Sequence, residues 1–159
     1  MEATFEILTM NQDFLNPPKI LVVDDHELML YGTLDVLSKQ YPETGIITVQ
    51  TAEDAFAQVQ ISLPSLAVID LSIPEKAGMT AQIDTGIQLL QRLMSNNPFL
   101  NLMVQSSYVK ALVRIRHDIN NHQGGFAVAD QGLSKKEMLT RLNLAHLGLL
   151  NLSMDRQSF

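Results

Sequence analysis

From about residue 19 onward, short apolar runs that end abruptly in polar residues alternate with stretches where apolar residues return every three or four positions. The run in "ILVVD" (20–24) predicts a buried strand, because its β-branched residues are continuous rather than alternating with polar ones. Leu30, Leu34, Leu37 and Tyr41 follow at helical spacing and stop before Pro42. "GIITVQ" (45–50) predicts the second strand, and "AEDAFAQVQIS" (52–62) its helix, with Ala55, Phe56 and Val59 facing inward. "SLAVIDL" (65–71) is the third strand; its helix is delayed to about Gly86, where "IQLLQRLM" begins. "LNLMVQSS" (100–107) predicts strand four, "YVKALVRIRHDI" (108–119) helix four, and "FAVAD" (126–130) strand five after Gly124 and Gly125. The pattern closes with a helix over "SKKEMLTRLNLAHLGLLNL" (134–152), where Ser134 and Glu137 have the spacing of a capping box.

Five apolar strands, each followed by a helix, imply an α/β fold: a doubly wound parallel sheet with helices on both faces. The common five-strand order is 2-1-3-4-5, and ligands then bind outside the carboxyl ends of strands one and three. The domain spans 19–152. Residues 1–18, which lack sustained periodicity and end in "NPP", are a lead-in, and 153–159 a tail.

Composition narrows the picture in three ways. The 159 residues suit one domain, and the absence of cysteine excludes disulfides, thiolate chemistry and cysteine-bound zinc. Eleven basic against 17 acidic side chains, a net charge of -6, disfavour direct nucleic-acid binding by this chain. Glu2 and Glu6 stand where a secretory leader would be basic, and no window reaches membrane-spanning length, so the expected location is the cytoplasm, away from membranes.

Charge placement matters more than charge total. Asp24 and Asp25 end strand one and Asp70 ends strand three, so the predicted topology brings three carboxylates to one crevice. Two like charges about 4 Å apart repel by roughly 4 kcal/mol at an effective dielectric of 20. No lysine or arginine stands at these strand ends, so a hard divalent cation, Mg²⁺ or Mn²⁺, is the simplest counter-charge. Asp70 is then a candidate nucleophile toward a phosphoryl group. Each acid also has a plainer reading: Asp24 with Glu27 makes a helix-capping pair, and Asp70 alone makes a turn. The four histidines show no metal-ligand spacing and read as surface or capping residues, and no phosphate-binding glycine loop is present.

"ILVVDDH", "LAVIDLSIP", "MVQSS" and "GGFAVAD" together resemble a response regulator receiver domain of two-component signalling, over about residues 19–150. The resemblance implies a flavodoxin-like fold and phosphorylation of Asp70 by the phosphohistidine of a histidine kinase or phosphotransfer protein. It implies that Asp25 and Asp70 bind Mg²⁺ directly, that Asp24 assists through water, and that the backbone carbonyl of Ser72 completes the ligands. Ser106 matches the hydroxyl that binds the phosphoryl group, and Phe126 the aromatic switch position. Output would pass through the face from helix four to helix five, and the chain would be no enzyme beyond self-phosphotransfer and autodephosphorylation at Asp70.

Two departures stand out. Receivers usually carry a lysine where this chain has Ala129, and losing one preorganised electrostatic contact costs about 10² to 10³ in rate. Lys76 or Lys110 would have to substitute from another direction. "PEKAGMTAQIDTG" (74–86) is also longer than the tight connection expected, with a solvated loop as its default reading. A second reading is therefore a pseudo-receiver, a protein-interaction module independent of phosphorylation. The final helix carries leucines on more than one stripe, which a homodimer, a contacting output segment or burial on two sides would each explain. "VDDH" resembles receivers joined to a helix-turn-helix output domain, so the sequence reads as a stand-alone receiver or as part of a longer chain.

Overall fold

The computed structural model describes residues 19–42, 45–130 and 135–146. Five strands, β1 (Lys19–Val23), β2 (Gly45–Val49), β3 (Leu66–Ile69), β4 (Leu102–Ser106) and β5 (Phe126–Asp130), form one sheet in the order β2-β1-β3-β4-β5 with every pairing parallel. Five α-helices accompany them: α1 (Glu27–Gln40), α2 (Ala52–Ile61), α3 (Ile83–Asn96), α4 (Arg116–Asn121) and α5 (Lys135–His146). Parallel strands cannot be joined by hairpins, so α1 to α4 carry the chain back between successive strands, and α5 follows the last strand onto a face. This is the expected flavodoxin-like architecture and strand order.

Two apolar clusters lie on the two faces. Leu30 and Leu37 of α1 and Met138 of α5 pack on Ile20, Val22, Val68, Met103, Ala127 and Ala129. On the other face α2, α3 and α4 pack on Leu21, Val23, Ile69, Val104 and Val128. Consecutive strand residues thus alternate between clusters, and β1 and β3 are buried on both sides.

Three expectations need correction. The helix after β3 starts at Ile83, not near Gly86. Gly86 lies within its first turns, where α3 comes so close to β3 that a Cβ would overlap the backbone of Leu71; the glycine serves packing rather than helix initiation. The predicted fourth helix splits into a 3-10 helix, Val109–Ile115, and the short α4. Its buried residues explain this, because Val109, Leu112 and Ile115 recur every three positions, the period of a 3-10 helix. The long connection is also more than a solvated loop. Gln82 N–H donates to the Ile73 carbonyl at 3.1 Å, and the carbonyls of Pro74 and Glu75 accept from Ala52 and Glu53 N–H at 3.0 Å each. Those donors open α2 and have no partner within the helix, so the insertion caps α2 together with the Thr51 hydroxyl, which accepts from Asp54 N–H. Residues 76–80 between these anchors are exposed, with Gly78 turning the chain at φ 83°.

α5 is described to His146, with Met138 buried against the sheet. Ser134 of the capping pair, the final leucines from Leu147, the lead-in 1–18 and the tail 153–159 lie outside the described residues. No helix among the described residues is long and apolar enough to cross a membrane.

Candidate functional site

Hydrogen bonding carries the strand pattern one residue past β1 and β3. Asp24 N–H donates to the Val49 carbonyl at 3.2 Å and Asp70 N–H to the Val23 carbonyl at 2.9 Å. Both carboxyls are thereby held at the sheet's C-terminal rim, and both residues are buried. Asp25 is half-buried beside them. One ligand atom from each of Asp24, Asp25, His26 and Asp70 can be chosen so that all four lie within 4.8 Å of one another. The predicted meeting of the three acids at the crevice between strands one and three is what the structure shows.

The lone pairs of these acids are only partly used. Asp24 Oδ1 accepts from His26 N–H at 2.9 Å, and Asp70 Oδ1 from Ser72 N–H at 3.3 Å. Ser106, fully buried at the end of β4, lies beside Asp70, and its hydroxyl acts to lower that carboxyl's pKa. The same hydroxyl oxygen accepts from Tyr108 N–H at 3.1 Å, which leaves its proton for the acid. Asp25 Oδ1 is buried and has no hydrogen-bond partner.

His26 faces this cluster, although the sequence pattern marks it only as a surface or capping residue. It precedes α1 in the N-cap position without making a side-chain cap. Its Nδ1 stands 3.1 Å from Asp25 Oδ1, 3.3 Å from Asp24 Oδ1 and 3.5 Å from Asp70 Oδ2. The approach to Asp25 brings opposite charges together without hydrogen-bond geometry, so the orphaned oxygen keeps an unmet demand. Lys76 and Lys110 are exposed, and neither pairs with these acids. The one signal available in advance was adjacency, since His26 directly follows the acidic pair.

Electrostatics follows from this crowding. Burial pushes the Asp70 carboxyl above the usual aspartate range; the Ser106 and Ser72 hydrogen bonds and the His26 charge oppose it, while the Asp25 charge adds to it. Burial raises Asp24 as well, aided by the Asp70 charge and resisted by His26. For His26, burial acts downward, but the charges of Asp25 and Asp24, the bond to Asp24 and the charge of Asp70 outweigh it and raise the imidazole above its ordinary value. A hard divalent cation fits this donor set. The ligands are carboxylate oxygens at short mutual range, one of them is buried and unsatisfied, and the groups that raise Asp24 and Asp70 are the desolvation and like charge a cation relieves.

The remaining predicted residues are placed as follows. Ser72 is half-buried in the turn after Asp70. Phe126 is fully buried at the first residue of β5, paired with Leu102, whereas Ser106 pairs with Asp130 at the strand's far end. Ala129 is buried in the apolar cluster under α1 and α5, next to Gln105 in the sheet.

No family model matches the sequence, and no curated protein matches it. Solved structures do. A CheY-like response regulator receiver domain protein from Methanospirillum hungatei superposes with a TM-score of 0.63 at 19% identity, over 82% of this chain and 94% of that one. A response regulator from Chloroflexus aurantiacus, described as putative, gives 0.65 at 17% identity, over 83% and 99%. The response regulator TrrA from Thermotoga maritima, solved in complex with Mg²⁺ and BeF, gives 0.62 at 15% identity, over 80% and 98%. The chain therefore has the fold of the CheY-like receiver domains.

Proposed function

We propose that this chain is a receiver that accepts a phosphoryl group on Asp70 from a histidine kinase or phosphotransfer protein, with Mg²⁺ or Mn²⁺ held at the acidic cluster. One observation carries the reading: Asp24, Asp25, Asp70 and the Ser106 hydroxyl, from three different strands, converge on a single rim of a receiver-type sheet. Independent helix caps and turns have no reason to meet there.

In this reading an Asp70 carboxylate oxygen attacks the phosphorus of a phosphohistidine. The new O–P bond replaces the N–P bond, and the imidazole leaves with a proton. Asp25, Asp70 and the Ser72 carbonyl would hold the cation, with Asp24 acting through water, and the cation would supply neutralisation of the phosphoryl oxygens. Ser106 lies beside Asp70, where its hydroxyl can donate to a phosphoryl oxygen. Phe126 is packed in the core, so any signal through it is a repacking rather than a change of hydrogen bonds. Output through the face from α4 to α5, a cytoplasmic setting and self-association through the last helix complete the proposal, with no chemistry beyond self-phosphotransfer and autodephosphorylation at Asp70.

The competing reading, a phosphorylation-independent interaction module, draws on Ala129, whose own side chain offers the product no cation. Incubation with Mg²⁺ and acetyl phosphate, followed by intact-mass analysis, separates the two. A phosphoryl adduct on the wild type that is missing from Asp70→Asn supports the receiver. Failure of the wild type to form it under conditions that modify a typical receiver supports the module.

A further inference from the structure

The sheet register exposes a feature that neither the acids nor the missing lysine predicts. Val23 pairs with Ile69, Ile69 with Val104, and Gln105 with Ala129. Carrying the first two pairings one residue on sets Asp24 beside Asp70 and Asp70 beside Gln105. The strand alternation puts Asp24, Asp70, Gln105 and Ala129 in one row, on the face covered by α1 and α5. Gln105 therefore stands between Ala129 and Asp70, one strand spacing, about 4.8 Å, from each.

Its amide is oriented by its neighbours. The Thr33 hydroxyl of α1 donates to Gln105 Oε1 at 3.0 Å, so the carbonyl end is committed. The donor end, Nε2, reaches Met138 Sδ of α5 at 3.8 Å, and a thioether is a weak acceptor. A half-buried carboxamide is thus held with its acceptor satisfied and, among the described residues, its N–H groups bonded to nothing better than sulfur. Such a donor is primed for an anion, because exchanging a weak acceptor for a charged one gains a strong, charge-assisted bond.

We propose that Gln105 is a second neutral anion-binding donor of this site, beside Ser106: its Nε2–H hydrogen-bonds the phosphoryl group on Asp70, in place of a cation at position 129. The inference rests on the receiver reading above. It also explains how Ala129 is accommodated, since a small residue there leaves the Gln105 amide room to turn. Thr33 acts as the positioning residue by fixing which end of the amide is available.

The test uses beryllofluoride with Mg²⁺ as a stable phosphoryl mimic, with bound fluorine followed by ¹⁹F NMR and Mg²⁺ affinity titrated separately without it. Gln105→Leu keeps the volume and suits its neighbour Met103, so it should fold. The expected result is about tenfold weaker beryllofluoride binding, the loss of one hydrogen bond to a charged group, with Mg²⁺ affinity unchanged. Thr33→Val should lower beryllofluoride affinity by a smaller factor in the same sense, and Ala129→Lys in the Gln105→Leu background should restore it. If Gln105→Leu binds beryllofluoride as the wild type does, the role of Gln105 is overturned while the receiver reading stands. If the wild type binds Mg²⁺ but no beryllofluoride, both are overturned.

Discussion

The two halves of the crevice have been built to different standards. On the β1 and β3 side, three carboxylates crowd within reach of one cation, and two of them are buried enough to hold their protons above the usual range. On the β4 and β5 side stand the Ser106 hydroxyl, the Gln105 carboxamide and Ala129, embedded in the hydrophobic cluster, with the exposed Asp130 ending β5. A site that must bind a metal and stabilise a transferred phosphoryl group divides those tasks between these sides. Under the receiver proposal the first side supplies the carboxylates for a cation, and the second lacks a lysine at position 129. If the chain is a receiver, the two tasks should be separable by mutation, one side at a time.

The largest effect belongs to the residue both sides share. Asp70→Asn removes the nucleophile, and no phosphoryl adduct should appear by intact mass at any time point that modifies the wild type. Because the amide keeps the shape and relieves the like-charge crowding, thermal stability should hold or rise, which thermal melting of the same sample would show. Next comes Ala129→Lys, which places a cation on the β4 and β5 side. Its stem can lie along the apolar surface while the ammonium reaches the rim. Adduct formation from acetyl phosphate should accelerate by about 10², the scale of one preorganised electrostatic contact. An unchanged rate would mean that the β4 and β5 side does not limit the chemistry.

These predictions depend on features that the sequence discloses unevenly. The strand positions and their order were legible because continuous β-branched runs need burial on both faces, and that requirement is written locally. The acidic cluster was legible because topology converts strand ends into neighbours. The start of α3 was not, since Gly86 looks like a helix boundary until Leu71 is seen pressed against it. The 3-10 helix was hidden for a related reason: the spacing of Val109, Leu112 and Ile115 fits the i, i+3 half of an α-helical pattern as well. His26 and Gln105 were missed because their roles depend on side-chain direction. A residue beside an acidic pair is ordinarily solvated, and a polar residue near a strand end ordinarily faces water. Only the packing of α1 and α5 turns Gln105 toward Thr33 and Met138.

A third prediction isolates the metal side. Asp25→Asn removes charge at the carboxyl whose buried oxygen lacks a hydrogen bond, and it leaves Asp70 as nucleophile. Mg²⁺ affinity by titration should fall by at least about tenfold, since losing even a partner that only supports a ligand costs that much and Asp25 would be a ligand itself. Beryllofluoride binding should fall with it, because the mimic requires the cation. Gln105→Leu is expected to alter only the second of these, so the pair of variants tests whether the halves act separately.

The smallest effect has the opposite sign and tests what balances the acids before a cation arrives. The His26 ring faces all three carboxylates, yet its side chain is 57% exposed, so solvent screens much of the attraction. As a counter-charge it competes with the metal; as a ligand it would assist it. Carboxylates at this spacing suit a hard ion that prefers oxygen, and an imidazole raised by their charges is held toward its protonated form, in which Nδ1 has no lone pair to offer. Removing it with His26→Ala should therefore tighten Mg²⁺ by about two- to threefold at low ionic strength, the range of an exposed ion pair. The gain should shrink as salt screens the attraction. Weaker Mg²⁺ binding in His26→Ala would make the histidine part of the metal site, and the acidic half would then need a nitrogen ligand that its oxygen donors alone do not call for.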